Sequence, residues 1–153
     1  MVHDTQSATT LAYVAGLLDG EGSISIGVSA NHPGRATPNY WLQVSVTNTD
    51  RTLIDWLLTT FGGHTSSNSH YYSAPKRRAC WAWRVMGPQA VPFLRAVLPY
   101  VRIKAPQVAL ALEFQEHMSA PRTYYRVPAA HLAVRENYRQ RLRALNRRSV
   151  TLP

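Results

Sequence analysis

The chain has 153 residues, with 17 Lys and Arg against 8 Asp and Glu and a formal net charge of +9. That length suffices for one domain whose core needs no staples, and the single cysteine, Cys80, excludes an intrachain disulfide and a cysteine-rich zinc site. The basic balance points to a polyanionic partner, nucleic acid before membrane.

The first ten residues are polar and lack the apolar stretch of a signal peptide. Ser7, Thr9 and Thr10 offer N-caps for a first helix, in which Leu11, Val14, Ala15 and Leu18 recur at helical spacing. Beside that stripe run Ala12, Gly16 and Gly20, a row of small residues along which another helix can come close. Glycine inside a helix costs roughly 1 kcal/mol relative to alanine, so Gly16 calls for a packing reason. Asp19, Gly20, Glu21 and Gly22 follow, with two carboxylates at the helix end where the dipole disfavours anions. A cation, hydrogen-bond donors or a metal ion must offset them.

From Ser23 to Ser29 the pattern alternates, with Ile24, Ile26 and Val28 on one face of a strand and serines and Gly27 on the other. A loop with Pro33, Gly34, Arg35 and Pro38 leads to a second strand, Tyr40 to Thr47, with Leu42, Val44 and Val46 inward and Trp41, Gln43, Ser45 and Thr47 outward. Thr49 or Asp50 caps a helix that runs to Phe61 and ends at Gly62 and Gly63. His64 to Tyr72 reads as a polar strand in which His64 and His70 are ordinary strand residues, and Ser73 to Arg78 as a basic loop. Ala79 to Met86 is a further strand, with Trp81, Trp83 and Val85 on one side and Cys80, Ala82 and Arg84 on the other.

A helix follows from Gly87 to Leu98, and Pro92, Arg95 and Pro99 break the apolar run from Ala90 to Val101, so no membrane span is expected and the protein is expected inside the cell. Further helices run from about residue 105 to 118 and from about 128 to 147. On the last, Arg135, Arg139, Arg143 and Arg147 lie opposite Val134, Tyr138, Leu142 and Leu145, either as a rail for phosphates or as a solvated face. The order αββαββα with extra C-terminal helices is an α+β pattern, an antiparallel sheet with helices on one face and the other left to water or a ligand. The whole chain, 1–153, reads as one domain, with a core over about 8–119 and a helical extension over about 128–148.

The stretch Val14 to Gly22, VAGLLDGEG, followed by Ser23 and an alternating strand, resembles the signature of the LAGLIDADG homing endonucleases. The resemblance implies a saddle-shaped fold and an intron-encoded enzyme that makes a site-specific double-strand cut in DNA. Only one copy of the motif is present, which implies a homodimer packed along Ala12, Ala15 and Gly16 and a long pseudo-palindromic site. In the family the last acidic residue of the motif binds the divalent metal, Mg²⁺ or Mn²⁺, with the preceding carbonyl; those positions here are Glu21 and Gly20. Asp19 takes the place of the structural acid, which accepts hydrogen bonds at the helix ends.

Two other segments resemble the family's catalytic surround. Pro99 to Gln107, PYVRIKAPQ, resembles the stretch that ends in the active-site lysine, so Lys104 takes that role. A cation there orders the attacking water or stabilises the charge that develops on the phosphate. Val46 to Leu57, VTNTDRTLIDWL, resembles the strand-to-helix junction. Asn48 stands where many members carry a water-positioning glutamine and is equally a helix-start residue, and Arg51 stands near a basic member of the surround.

A two-stranded ribbon fits the major groove, and the outward Ser25, Ser29, Trp41, Gln43, Ser45 and Arg84 are the candidates for DNA contact. Arg35 and the loop cations Lys76, Arg77 and Arg78 would grip the backbone, displacing counterions. The expectation is a Mg²⁺-dependent, homodimeric DNA endonuclease in a prokaryotic cytoplasm or a eukaryotic organelle or nucleus. Two alternatives stay open, an RNA maturase assisting intron splicing and a DNA-binding regulator that does not cut.

Overall fold

The computed structural model describes residues 6–29, 37–67, 78–120 and 126–148. Ser7 accepts the Thr10 backbone N–H at 3.1 Å and starts α1 (Ala8–Glu21), whose apolar stripe buries Val14, Ala15 and Leu18 completely. A Cβ at Gly22 would stand 2.6 Å from the Leu18 carbonyl oxygen and 2.8 Å from its Cα. Glycine therefore lets the chain pass from α1 straight into β1 (Gly22–Val28) without a loop.

β1 pairs antiparallel with β2 (Tyr40–Asn48), from Gly22 opposite Val46 to Val28 opposite Tyr40. Asp50 then caps α2 (Arg51–Phe61), its carboxylate accepting the N–H groups of Thr52 and Leu53. Gly62 and Gly63 follow at φ 73° and 89°, a left-handed exit that favours glycine. The Trp83 indole N–H donates to the Gly62 carbonyl at 2.7 Å, which fixes that exit against β4 (Trp81–Met86). β3 (His64–Ser67) pairs outside β4, giving the all-antiparallel order β1-β2-β4-β3. The expected strand to Tyr72 is described as far as Ser67; its remainder lies outside the described residues.

One face of this sheet is apolar. Ile24 and Ile26 of β1, Leu42, Val44 and Val46 of β2, and Trp83 and Val85 of β4 are all buried against the helices. Burial of each such side chain contributes roughly 1.5–3 kcal/mol. Phe61 and Phe93 meet Trp83 edge-to-face, at 6.4 and 5.1 Å between centroids.

Past β4 the structure differs from the single helix expected between Gly87 and Leu98. Gly87 at φ 55° turns the chain through a 3₁₀ turn (Gly87–Gln89), and α3 (Ala90–Val97) starts after it. α4 (Ala105–Ser119) and α5 (Ala129–Arg148) complete the fold.

α5 meets the outer edge of β1. The Asn146 amide donates to the Ile24 carbonyl at 3.0 Å, the Tyr40 hydroxyl donates to Glu136 at 2.9 Å, and Leu142 enters the core. An edge strand is a pairing hazard, and here a helix covers it. This docking redraws the expected arginine face: Arg135 is only 8 % exposed, whereas Val134 of the supposed apolar stripe is 40 % exposed. A helix wedged between a strand edge and α4 is contacted over a wider arc than a simple two-sided pattern allows, and the stem of a long arginine packs well there.

Ala15 needs a second correction. Expected in the dimer interface with Ala12 and Gly16, it is instead fully buried within its own chain. It lies one turn after Leu11 on the stripe that faces the sheet. Ala12, Gly16 and Gly20 lie on the exposed side of α1, where the neighbouring Tyr13 is 56 % exposed.

Candidate active site and nucleic-acid interface

The C-terminal end of α1 carries two carboxylates, and the fold supplies a different offset for each. Asp19 accepts the backbone N–H groups of Arg102 at 2.8 Å, Ile103 at 3.2 Å and Lys104 at 2.9 Å, the three residues that lead into α4. Burial pushes its carboxyl up, but the three N–H bonds and the nearby Lys104 ammonium outweigh that and hold it below its ordinary value. Asp19 is thus the structural acid the sequence places there.

Lys104 acts in turn on α1. Its ammonium donates to the Leu18 carbonyl at 2.9 Å and the Asp19 carbonyl at 2.7 Å, a cation on the negative end of the helix dipole. Burial pushes the Lys104 pKa down and the Asp19 charge opposes it, with a net lowering. An ammonium has three donors, and among the described residues these two carbonyls take two of them.

Glu21 is exposed at the last position of α1, and its Oε2 accepts the Asn48 amide N–H at 2.6 Å. The pairing of Gly22 with Val46 makes that meeting possible, because it sets the first residue of β1 beside the C-terminal end of β2. The structure therefore brings Glu21, Asn48 and Lys104 to one end of α1. Arg51 lies in the first turn of α2 and pairs with Asp55 at 3.4 Å, both side chains more than half exposed, a pair of small energetic weight.

The donors present suit a hard divalent cation: one carboxylate and, next to it, the Gly20 carbonyl, the one beyond those that Lys104 takes. Among the described residues no three carboxylate, imidazole or thiolate groups cluster to hold a metal.

The other face of the sheet bears the outward residues in rows. Ser23, Ser45, Arg84 and His64 form one row across the four strands, and Ser25, Gln43 and Met86 the next. Neither row contains an acidic side chain. The Arg84 guanidinium donates to Ser66 at 2.7 Å, which aims it along the face. Trp41 lies across Gly27, where a Cβ would stand 2.8 Å from the indole nitrogen, so the ring covers the strand that glycine leaves bare. Ser29 falls just past β1, and its hydroxyl accepts the Asn39 N–H at 3.2 Å. Arg78 is exposed; Arg35, Lys76 and Arg77 lie outside the described residues.

Two contributors escape a reading of the sequence. Asp50 anchors Asn48, and Ser66 aims Arg84. The Asn-Thr-Asp run before α2 is a local signal for the first; for the second there is none, because the pairing register decides it.

No family model matches the sequence, and no curated protein matches it. Solved structures do. The homing endonuclease I-CvuI in complex with the I-CreI target shares a TM-score of 0.72 at 16% identity over 90% of this chain and 82% of its own. The archaeal intron-encoded homing endonuclease I-Vdi141I, complexed with DNA, gives 0.73 at 14% identity, over 92% and 86%. The LAGLIDADG homing endonuclease I-GzeII, also with a DNA target, gives 0.64 at 16% identity over 84% of this chain but 43% of its own. The fold of this chain is that of the LAGLIDADG homing endonucleases, an α+β architecture on a four-stranded antiparallel sheet.

Proposed function

We propose that this chain is a LAGLIDADG homing endonuclease, which binds double-stranded DNA on its open sheet face and cuts both strands as a homodimer. The observation that carries the reading is the meeting of Glu21, Asn48 and Lys104 at the end of α1, on a fold whose solved examples include DNA complexes. The net charge of +9 and the acid-free rows of the sheet fit a polyanion. Among the described residues no helix is long and apolar enough to cross a membrane.

The dimer reading rests on α1. A Cβ at Gly16 or Gly20 would meet nothing within 4 Å, so the chain's own packing requires neither glycine. Each costs roughly 1 kcal/mol in a helix, which close approach by a second α1 would offset. Two-fold pairing along Ala12, Gly16 and Gly20 sets two Glu21 carboxylates beside each other, and completes what one chain lacks.

Glu21 and the Gly20 carbonyl would hold the divalent cation, Mg²⁺ or Mn²⁺. When bound, it supplies Lewis-acid polarisation of the scissile phosphate. The Lys104 ammonium would stabilise the negative charge that develops on the phosphate oxygens. Asp19 keeps that ammonium in place by holding the Lys104 backbone. Gln43, Ser45, Ser25 and Arg84 would read the bases, and the exposed Arg78 would meet phosphates.

Incubation of the chain with a randomised plasmid library in Mg²⁺, followed by sequencing of cut ends, tests this reading. Cut sites with inverted half-sites are the expected result. Tight binding with no cutting leaves a DNA-binding regulator, and binding only to structured RNA leaves a maturase.

A further inference from the structure

The Asn48 amide is held at both ends. Its Oδ1 accepts the Asp50 backbone N–H at 2.8 Å, a bond that only the oxygen end can make. The nitrogen end therefore faces Glu21 and donates to Oε2. Asp50 is itself fixed, because the same residue caps α2 through Thr52 and Leu53. The Glu21 carboxylate is thus tied through one side chain to the start of α2.

An exposed glutamate samples several rotamers, and ordering it when a ligand binds costs affinity. Asn48 removes part of that cost in advance by fixing which way the carboxylate turns. With Oε2 directed at the amide, Oε1 is the oxygen that faces away. We propose that Asn48 is a positioning residue for Glu21, which presents Oε1 to a divalent cation and leaves Oε2 to the protein. Asparagine is one methylene shorter than glutamine, and its reach here ends on Glu21. The proposal rests on the reading of Glu21 as a metal ligand. Residues that orient a metal ligand typically change metal affinity by about 10–100-fold when removed.

The test uses the full chain without DNA. Mn²⁺ alone is titrated into the ¹⁵N-labelled protein, and paramagnetic broadening of the backbone amides locates the ion and its midpoint. In the parent, broadening should centre on residues 20–22. Asn48→Ala and Asn48→Ser should both need about tenfold more Mn²⁺, with amide spectra otherwise unchanged. Serine keeps an acceptor for the Asp50 N–H but does not reach Glu21, so equal losses assign the effect to the arm on Glu21 rather than to the turn. If Asn48→Ser binds Mn²⁺ at the parent's midpoint while Glu21→Gln does not, the positioning role is wrong and the metal reading stands. If the parent shows no broadening near Glu21, or Glu21→Gln leaves it intact, the metal reading falls and takes this proposal with it.

Discussion

Asp19 and Lys104 cap each other's helices. The carboxylate of the first holds the N-terminus of α4, and the ammonium of the second holds the C-terminus of α1. Each charge sits at the dipole end it stabilises, so the pair locks α1, with Glu21 at its tip, to the start of α4, whose N-cap is Lys104.

Asp19→Ala leaves three N–H groups without their acceptor and should cost about 1–2 kcal/mol of stability in urea titration. The effect depends on pH with a fixed sign. The native carboxyl titrates below its ordinary value of 3.8, so its stabilisation is fully present above that pH and is lost as the pH falls through the native value. The gap between parent and Asp19→Asn should therefore be constant near neutrality and shrink in acid; a gap that widens in acid contradicts the capping role.

Glu21→Gln should remove cleavage while DNA binding stays roughly unchanged, since the change keeps shape and removes a charged oxygen ligand. Electrophoretic shift and cutting of one target, measured side by side, decide it. Full cutting in Mg²⁺ would end the metal assignment.

Lys104→Met keeps the aliphatic stem and deletes the ammonium. The cleavage rate at saturating protein should fall about 10²–10³-fold, with DNA affinity little changed. A sharp loss of affinity at an unchanged rate would make Lys104 a phosphate contact instead.

Gly16→Leu separates folding from assembly. Nothing lies within 4 Å of a Cβ there, and leucine improves helix propensity by roughly 1 kcal/mol, so the single chain should fold at least as well as the parent. The dimer should be lost, which sedimentation reads directly. A parent that sediments as a monomer both free and on DNA would overturn the symmetric mechanism.

Arg84→Ala should relax base preference at one position of each half-site by about 1–3 kcal/mol, because arginine reads guanine through two hydrogen bonds. Selection from a randomised target library checks it, and a uniform loss across all positions would reassign Arg84 to the backbone.

Much of the fold is legible in the chain because its cues are local. Alternation sets β1 and β2, Asp50 before Leu53 and Ile54 sets the start of α2, and paired glycines set its end. Glu21 is legible for the same reason, since it lies within one short motif. Local patterning also errs where a helix is contacted from more than one side. Arg135 reads as one of a set of arginines facing phosphates or solvent and is buried. The helical spacing of Ala15 with Leu11, Val14 and Leu18 places it in the core correctly, and only the implied dimer interface misplaces it.

What the sequence determines by itself is the order of elements, the face of each strand and the position of the two carboxylates that end α1. What satisfies those carboxylates is a matter of tertiary structure alone. The donors to Asp19 come from residues 102–104, and the carbonyls that receive the Lys104 ammonium lie 85 and 86 positions before it. The amide on Glu21 arrives from a strand whose register with β1 sets the distance. A buried or helix-end charge is tolerated only where a partner meets it, and periodicity along a chain carries no information about partners so far away.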